Sequence, residues 1–509
     1  MSFFTKAKAK AKANSNLTDQ QAMALENALR YQHSLLIGYA GTGKTFTAKA
    51  ILERLSKEYE ETNLGFEHLA LPQAHFPIAI CAYTGMAVSV LKDHTGNEWA
   101  PYCYTIHKLI NYAPELIETK PSKADIANGA DPLVPIIKKI FTPHRNKACQ
   151  LTGLRFLIVD EISMIPPNLW QELMDAIPSD CKILCIGDLA QLPPVMGSSI
   201  MPELAAEWPT VELTKVFRTK VSLIINNAHA IRQGKAPEKG EDFQILGISA
   251  KAHLAQQQII NFFNNAQDYD HEQDIILTPL NGTPVGQEQL NQLLRKINNP
   301  SAKVRIVKTM RNTKRFAIGD RVMTTKNDAD LGIFNGQLGK IVSIVRNAQS
   351  GFIADEDHSS ENLSISFDTT AISAFSTDED GTSERLASHS IEVLFDNGET
   401  ISFSTSNQIE NLQLAWAITV HKAQGSGFRH VYIILHNAHA RLLNNEILYT
   451  AVTRAREKVT ILATSYAIKK AITNQLIKGA TLEEKLAAFQ KKNAPNLTAQ
   501  KSIAFGKSN

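Results

Sequence analysis

Eight residues near the amino end, Gly38-Tyr39-Ala40-Gly41-Thr42-Gly43-Lys44-Thr45, constrain this chain more than any other feature. They follow the apolar run Leu35-Leu36-Ile37. They precede Ala48, Ile51, Leu52 and Leu55, which recur at the i, i+3, i+4, i+7 spacing of a helix with one buried face. A strand, a tight loop and a helix are therefore predicted in succession. The glycines let the backbone curl so that its N–H groups converge on phosphate oxygens, and the helix aims its positive end at the same point. In a loop of this spacing the backbone of Gly38, Ala40, Gly41, Thr42 and Gly43 surrounds the phosphates. Lys44 reaches the β- and γ-phosphates, and the Thr45 hydroxyl ligands Mg²⁺.

The stretch from about residue 17 to 213 alternates apolar strands (35–37, 78–81, 156–159, 183–186) with helical segments. This pattern predicts an α/β fold, a parallel sheet covered on both faces, with its working loops at the carboxyl ends of the strands. Between residues 108 and 153 the pattern weakens, interrupted by Pro114, Pro121, Pro132, Pro135 and Pro143, as expected of an insertion. A second α/β unit begins near Val216, includes strand 275–277, resumes at Leu412 and ends with strands 431–435 and 459–462. Within it, residues 301–406 differ in character. Leu363-Ser364-Ile365-Ser366-Phe367 and Ile391-Glu392-Val393-Leu394-Phe395 alternate like antiparallel strands. Asn335-Gly336 and Asp396-Asn397-Gly398 are turn signals. A small inserted β-barrel is expected, with solvated acidic loops at 355–357 and 378–380.

Three further groups carry chemistry. Asp160-Glu161 closes the strand Phe156-Leu157-Ile158-Val159, where one carboxylate can hold Mg²⁺ beside Thr45 and the next can deprotonate an attacking water. Gly187-Asp188-Leu189-Ala190-Gln191-Leu192-Pro193-Pro194 offers the Gln191 amide, which can donate to a γ-phosphate oxygen while accepting from water. Arg218 and Arg454 lie in the second unit, where a guanidinium can stabilise the charge of phosphoryl transfer and make cleft closure depend on the bound nucleotide.

The ordered set 38–45, 160–161, 187–194, 415–425 and 449–456 resembles the motifs of superfamily 1 helicases. Ala417-Ile418-Thr419-Val420-His421-Lys422-Ala423-Gln424-Gly425-Ser426 is similar to the RecD/Dda-like branch, superfamily 1B, as is Leu17-Thr18-Asp19-Gln20-Gln21. The resemblance runs from about residue 17 to 464. It implies two RecA-like P-loop domains (15–213, and 214–300 with 407–465), a strand-separating pin at 108–153 and an SH3-like barrel at 301–406. ATP-driven 5′-to-3′ movement on single-stranded DNA with duplex unwinding is the implied activity, with ATP and Mg²⁺ as cofactors. It gives Lys44 and Thr45 the phosphate and metal roles, Asp160 the metal, Glu161 the catalytic base, and Gln191, Arg218 and Arg454 the γ-phosphate. Gln21 would read adenine and Gly425 would line the nucleotide. Tyr83, Thr84, Gly85, Thr105, His107, Thr419 and His421 would contact the strand. Tyr83 stands where the family has proline, and Gly427 where many relatives have glutamate.

A clamp or protein-displacing remodeller that hydrolyses ATP without unwinding would carry the same motifs, as would the motor subunit of a helicase–nuclease. The expected partners are single-stranded and forked DNA, with single-strand-binding or replication and recombination proteins. Net charge is only +3 over 509 residues, so any nucleic-acid surface is local. No apolar stretch is long enough to span a bilayer. The five cysteines form no C-x-x-C pair, and Cys81, Cys181 and Cys185 sit in apolar runs as small hydrophobes. A reducing bacterial or phage-infected cytoplasm follows, with no membrane partner. Residues 1–14 read as a disordered basic arm. Residues 466–509 read as a basic tail whose Lys469, Lys470, Lys478, Lys485, Lys491 and Lys492 touch nucleic acid or line a solvated helix. Trp99, Tyr102 and Tyr104 are candidates for base stacking or for core, and Trp416 for core.

Overall fold

The computed structural model describes residues 17–62, 77–110, 112–119, 136–143, 151, 153–194, 198–216, 223–328, 331–347, 375–377, 383–476, 479 and 482–493. The basic arm, the strand expected at 363–367, both acidic loops, Cys149 and Arg218 lie outside the described residues. The chain divides into two units, Met1–Tyr83 with Ala87–Thr219 and Ile477–Asn509, and Thr84–Met86 with Lys220–Leu476.

In the first unit the strands are β1 (His33–Gly38), β2 (Ile78–Ala82), β3 (Cys103–Thr105), β4 (Tyr112–Thr119), β5 (Ile136–Pro143), β6 (Phe156–Asp160), β7 (Lys182–Gly187) and β8 (Thr210–Leu213). The helices are α1 (Asp19–Arg30), α2 (Lys44–Thr62), α3 (Gly85–Thr95), α4 (Ile106–Leu109), α5 (Pro167–Ala176) and α6 (Met201–Glu207). Six strands form one parallel sheet in the order β3-β2-β6-β7-β1-β8. Its central strands are buried along nearly their whole length, as near-continuous apolar runs require when helices cover both faces. Two apolar clusters fill those faces, one around Leu35, Ile37, Leu157 and Trp170, the other around Leu36, Ile51, Ile80 and Trp99. Trp99 and Tyr102 belong to that second cluster, so they are core and not a stacking platform; Tyr104 is half-buried against the first.

The stretch 108–153 contains a two-stranded antiparallel ribbon, β4 with β5, pairing Tyr112 with Pro143 and Thr119 with Ile136. Its prolines are tolerated because a ribbon of two strands has only edges, where a missing N–H breaks no interior ladder.

The second unit contains α7 (Leu223–Arg232), β9 (Phe243–Gly247), α8 (Ala252–Asn265), β10 (Ile275–Thr278) and α9 (Gln287–Asn298). Then come β11 (Arg305–Lys308), β12 (Thr313–Phe316), β13 (Arg321–Thr324), β14 (Leu338–Arg346), β15 (Phe375–Thr377), β16 (Ser383–Phe395) and β17 (Thr400–Thr405). It finishes with α10 (Ser406–Glu410), β18 (Leu412–Leu414), β19 (Ala417–Thr419), β20 (Phe428–Leu435), α11 (Asn445–Val452), β21 (Ala455–Ala463) and α12 (Ser465–Thr473). A parallel sheet has the order β19-β10-β20-β21-β9. Trp416 is buried in its core beside Ile276 and Tyr432. The inserted region forms an antiparallel sheet, β15-β16-β14-β13-β18 with β17 on β16, around its own cluster of Val322, Ile341, Val393 and Phe403. Alternation decides its faces: Ile391, Val393 and Phe395 are buried while Glu392 and Leu394 are exposed. Arg295 of α9 clamps the insertion through a two-pronged bond to buried Asp320, Nε at 3.0 Å and Nη2 at 2.7 Å.

Beyond residue 465 the chain is not a loose tail. It is helical over α12 and again over Leu482–Asn493. Lys485, expected on a solvated face or against nucleic acid, is only 3% exposed.

Candidate nucleotide and nucleic-acid sites

Parallel register puts the chemistry of the first unit along one edge. Ile37 pairs with Gly187 and Val159 with Cys185, so the loops after β1, β7 and β6 leave the sheet side by side. Ala82 pairs with both Asp160 and Thr105, which sets Tyr83, Asp160 and Thr105 level on neighbouring strands. From the β1 loop to Thr105 is four strand steps, about 19 Å at the usual ~4.8 Å spacing.

The loop after β1 turns on Gly41 and Gly43, at φ 78° and 84°, a region closed to most side chains. A Cβ on Gly38 would lie 2.4 Å from Thr42 Oγ1, so the loop closes only over a glycine there. Thr42 Oγ1 donates to Tyr39 O (2.8 Å), and Thr47 Oγ1 donates to Gly43 O (2.9 Å). Lys44 Nζ donates to Gly38 O (2.7 Å) and Tyr39 O (3.3 Å), which keeps the ammonium inside the curl. Thr45, half-buried, lies in the first turn of α2.

Asp160 ends β6, and its Oδ1 accepts from the Glu161 N–H at 2.9 Å. Burial raises the Asp160 pKa to about 7, assisted by the charge of Glu161; the Glu161 N–H and the Lys44 charge pull the other way. A carboxylate so raised is under-supplied with positive charge, which a divalent cation would provide. Glu161 stands at φ 50°, ψ 43°, the only non-glycine residue with positive φ among the described residues. After β7, Asp188 is buried and its Oδ1 accepts from Ala190 N (2.9 Å), while Gln191 N donates to Asp188 O (3.2 Å). Glu161 Oε2 and Gln191 Oε1 are buried without a hydrogen-bond partner among the described residues. Two acceptors of this kind beside a phosphate-shaped loop suit a water molecule and a triphosphate with its Mg²⁺.

Gln21 is placed differently from a free base-reading amide. Its Oε1 accepts from Thr18 N (3.0 Å) and its N–H donates to Thr18 Oγ1 (3.3 Å), a capping box at the start of α1. Its neighbour Gln20 bonds Thr214 beyond β8. Thr84 and Gly85 follow Tyr83 into α3. Thr105 is buried and caps α4 by accepting from Lys108 N at 3.2 Å. The rings of Tyr83 and His107 are 6.1 Å apart, and burial lowers the His107 pKa, which favours a neutral imidazole.

In the second unit, Thr419 closes β19 level with Thr278. Its N–H donates to Gln287 Oε1 (3.1 Å), which also accepts from Lys422 Nζ (3.4 Å). Asn291, one turn along α9, accepts from Ala417 N and donates to Leu414 O and Ala417 O. These two buried amides position the Thr419–His421 turn and were not singled out in the sequence. The available signal was a pair of polar residues at i, i+4 within the apolar face formed with Leu290 and Leu294. Burial lowers the His421 pKa as well. At the opposite edge of this sheet, Arg454 precedes β21. Its Nε donates to Thr450 O, its Nη1 to Ser426 O and its Nη2 to Thr453 Oγ1, all at 3.2 Å. No carboxylate pairs with it among the described residues, so its charge is held in place but not neutralised. Gly425, at φ 78°, turns the chain just before Ser426.

No helix among the described residues is long and apolar enough to cross a membrane. Three family models match in succession: an AAA domain over residues 16–254, the SH3 domain of ATP-dependent RecD-like DNA helicases over 290–367, and a UvrD-like helicase C-terminal domain over 414–462. The chain is 28% identical over 444 residues to the ATP-dependent RecD2 DNA helicase of Deinococcus radiodurans, covering 87% of this chain and 48% of that protein. It thus spans about half the length of that relative. It is 23% identical to the RecBCD enzyme subunit RecD of Haemophilus influenzae, covering 92% of this chain and 73% of the relative. Among solved structures, a Bacteroides Pif1 helicase with ADP-AlF3 and ssDNA aligns over 97% of this chain and 100% of that one, at 18% identity and a TM-score of 0.48. The chain belongs to the RecD-like branch of the superfamily 1B helicases.

Proposed function

We propose that this protein is an ATP-dependent DNA helicase that translocates 5′-to-3′ on single-stranded DNA and separates duplex DNA. The observation that carries the reading is the shared edge of the first sheet. Lys44, Asp160, Glu161 and Gln191 gather there, level by register with Tyr83 and Thr105 on the adjoining strands.

Bound ATP and Mg²⁺ would supply the phosphoanhydride bond and the cation that spreads its charge. The protein's own residues do the rest. Main-chain N–H groups of residues 41–45 hold the phosphates, and Lys44 leaves its loop carbonyls to pair with the terminal ones. Thr45 and Asp160 hold the metal, while Gln21 and Gly425 lie toward the base and sugar. Glu161 takes the proton of the attacking water at its unbonded Oε2, and Gln191 donates to the terminal phosphoryl group. Arg454, joined by Arg218, stabilises the developing charge. Tyr83, Thr84, Gly85, Thr105 and His107 on one unit and Thr419 and His421 on the other grip the strand. A conformational equilibrium shifts only through contacts that differ between its states. Loss of the terminal phosphate removes such contacts at Lys44, Gln191 and the arginines.

The test is strand displacement on 5′-tailed and 3′-tailed duplexes in parallel. Unwinding of the 5′-tailed substrate alone is expected. Unwinding of the 3′-tailed substrate alone would reverse the polarity, and DNA-stimulated hydrolysis without displacement of either would make the protein a clamp or remodeller. The same assay with single-strand-binding protein present asks whether the motor works with such partners, and a cytoplasmic location accords with the reading.

A further inference from the structure

Beyond α12 the chain leaves the second unit and rejoins the first at residue 477, and both ends of that passage are anchored. At the departing end, Leu476 N donates to both carboxylate oxygens of Glu446, at 3.1 and 3.2 Å. Asn474 O accepts from Asn445 N (2.7 Å), and Asn474 Nδ2 donates to Leu443 O (2.9 Å). Asn445 and Glu446 are buried and open α11, the helix whose far end leads into Arg454. At the arriving end, buried Lys485 donates through Nζ to Leu189 O at 3.3 Å. Leu189 belongs to the turn that Asp188 closes and that carries Gln191. The helix bearing Lys485 also packs on α6, whose Met201 presses on Gly187 so closely that a Cβ there would lie 2.6 Å from its sulfur. Between the anchors, Gly479 lies at φ 134° with space for no side chain: a Cβ would be 2.7 Å from Lys485 N.

We propose that residues 476–485 form a strap joining the two elements assigned to the terminal phosphate, and that Lys485 is a positioning residue that sets the Gln191 turn. This inference rests on the helicase reading for its function, though its geometry does not. A buried ammonium is costly to place unless it is bonded, and this one bonds a main-chain carbonyl, so it constrains the backbone of the turn and not one rotamer. Nine residues reach at most about 30 Å when extended. The start of α11 and the Gln191 turn therefore cannot separate further without breaking an anchor. Motion that displaces Arg454 is transmitted to the turn through the chain itself, independent of any nucleotide bridging the two.

The experiment is hydrogen exchange on the full-length, nucleotide-free protein, comparing wild type with Lys485→Met, Lys485→Arg and Gly479→Ala. In Lys485→Met, amides of residues 187–192 are expected to exchange about tenfold faster while those of β1 are unchanged, and Lys485→Arg restores protection. Gly479→Ala should give the same local loss without altering the ammonium. In steady-state hydrolysis, Lys485→Met should lower kcat about tenfold with KM for ATP moved by less than about twofold, and Lys485→Arg should recover kcat. Unchanged exchange at 187–192 in both Lys485→Met and Gly479→Ala overturns the strap. Exchange needs no nucleotide, so that failure is separate from absence of hydrolysis in the unsubstituted protein, which would sink the helicase reading instead.

Discussion

The left-handed backbone at Glu161 gives a prediction whose sign is opposite to the usual one. A residue with a Cβ in this region carries about 1–2 kcal/mol of strain. Glycine avoids it but loses about 0.5–1 kcal/mol more backbone entropy than alanine on folding. At most strand and helix positions alanine is therefore the more stable of the two. At 161, with φ 50° and ψ 43°, the balance reverses, and Glu161→Gly should exceed Glu161→Ala by about 0.5–1 kcal/mol. For a unit of this size that is about 1–4 °C in the thermal midpoint. Tryptophan fluorescence can isolate the transition, because Trp99, Trp170 and Trp208 are in the first unit and a Trp416→Phe background silences the second. Both variants should lose about 10²–10⁴ in hydrolysis rate, the usual worth of a positioned base. A fold that keeps strained backbone where relief would cost activity has stored that strain for function. If the alanine variant is as stable as the glycine one, the backbone at 161 is unstrained in solution and the argument fails.

Lys44→Ala should leave the fold intact, since the amine bonds only loop carbonyls, yet abolish ATP-driven strand displacement; unwinding by the purified variant would refute the phosphate assignment. Arg454→Lys cannot reach Thr450 O, Ser426 O and Thr453 Oγ1 together, and should lose about 10³-fold or more in kcat, measured with saturating single-stranded DNA. His430, stacked on Tyr432 and bonded to Thr460, is held near a pKa of about 4 by burial, then by the Lys458 charge, with Asp268 opposing and Arg429 assisting. A folded pKa below the unfolded value of about 6.5 means full stability above pH 6.5, lost as pH falls toward 4. Urea midpoints of the second unit should drop by the equivalent of about 1–2 kcal/mol between pH 7.5 and 5 on this account. Most of that part should be absent in His430→Phe, and an unaltered pH dependence there would place the titration elsewhere. Strand affinity should fall steeply with salt in proportion to phosphate contacts, and salt-insensitive binding in a filter assay would exclude them.

The sheet strands were legible because each is a short apolar run ending in a polar motif: Leu35–Ile37, Phe156–Val159, Ile183–Ile186 and Val431–Leu435 all fall within observed strands. The insertion at 301–406 could be read from alternation, and Ile391–Phe395 and the turn at Gly398 sit where the pattern puts them. Side-chain partners were less visible. Gln21, one residue of a motif, also completes a capping box, and sequence does not say which of two bonds an amide makes. Trp99 and Tyr102 stand near a strand-contacting element, yet their burial is decided by packing from α2 and α3, distant along the chain. Lys485 was the hardest. A lysine among lysines reads as solvent-facing, and its burial depends on Leu189, 296 residues away.

The two sheets differ in how they arrange their chemistry. In the first, nucleotide and strand candidates share the carboxyl edge, so a rigid sheet can carry both without internal motion. In the second they lie at opposite edges: Thr419 closes β19, whereas Arg454 stands before the start of β21, beside Phe428 at the start of β20. One short segment, residues 420–427, spans the gap as a crossover between parallel strands. Parallel crossovers usually need a dozen or more residues and a helix, and this one has neither. Its first residues carry His421 and its last supply Ser426 O to Arg454. A taut segment fixed at both ends cannot move at one without moving at the other, whereas a helical crossover could absorb the shift in its loops. On the helicase reading, a displacement of Arg454 when the terminal phosphate leaves would therefore reach the Thr419–His421 grip directly. The asymmetry also assigns the roles of the units: the first is the fixed platform and the second holds the part that changes its hold on the strand.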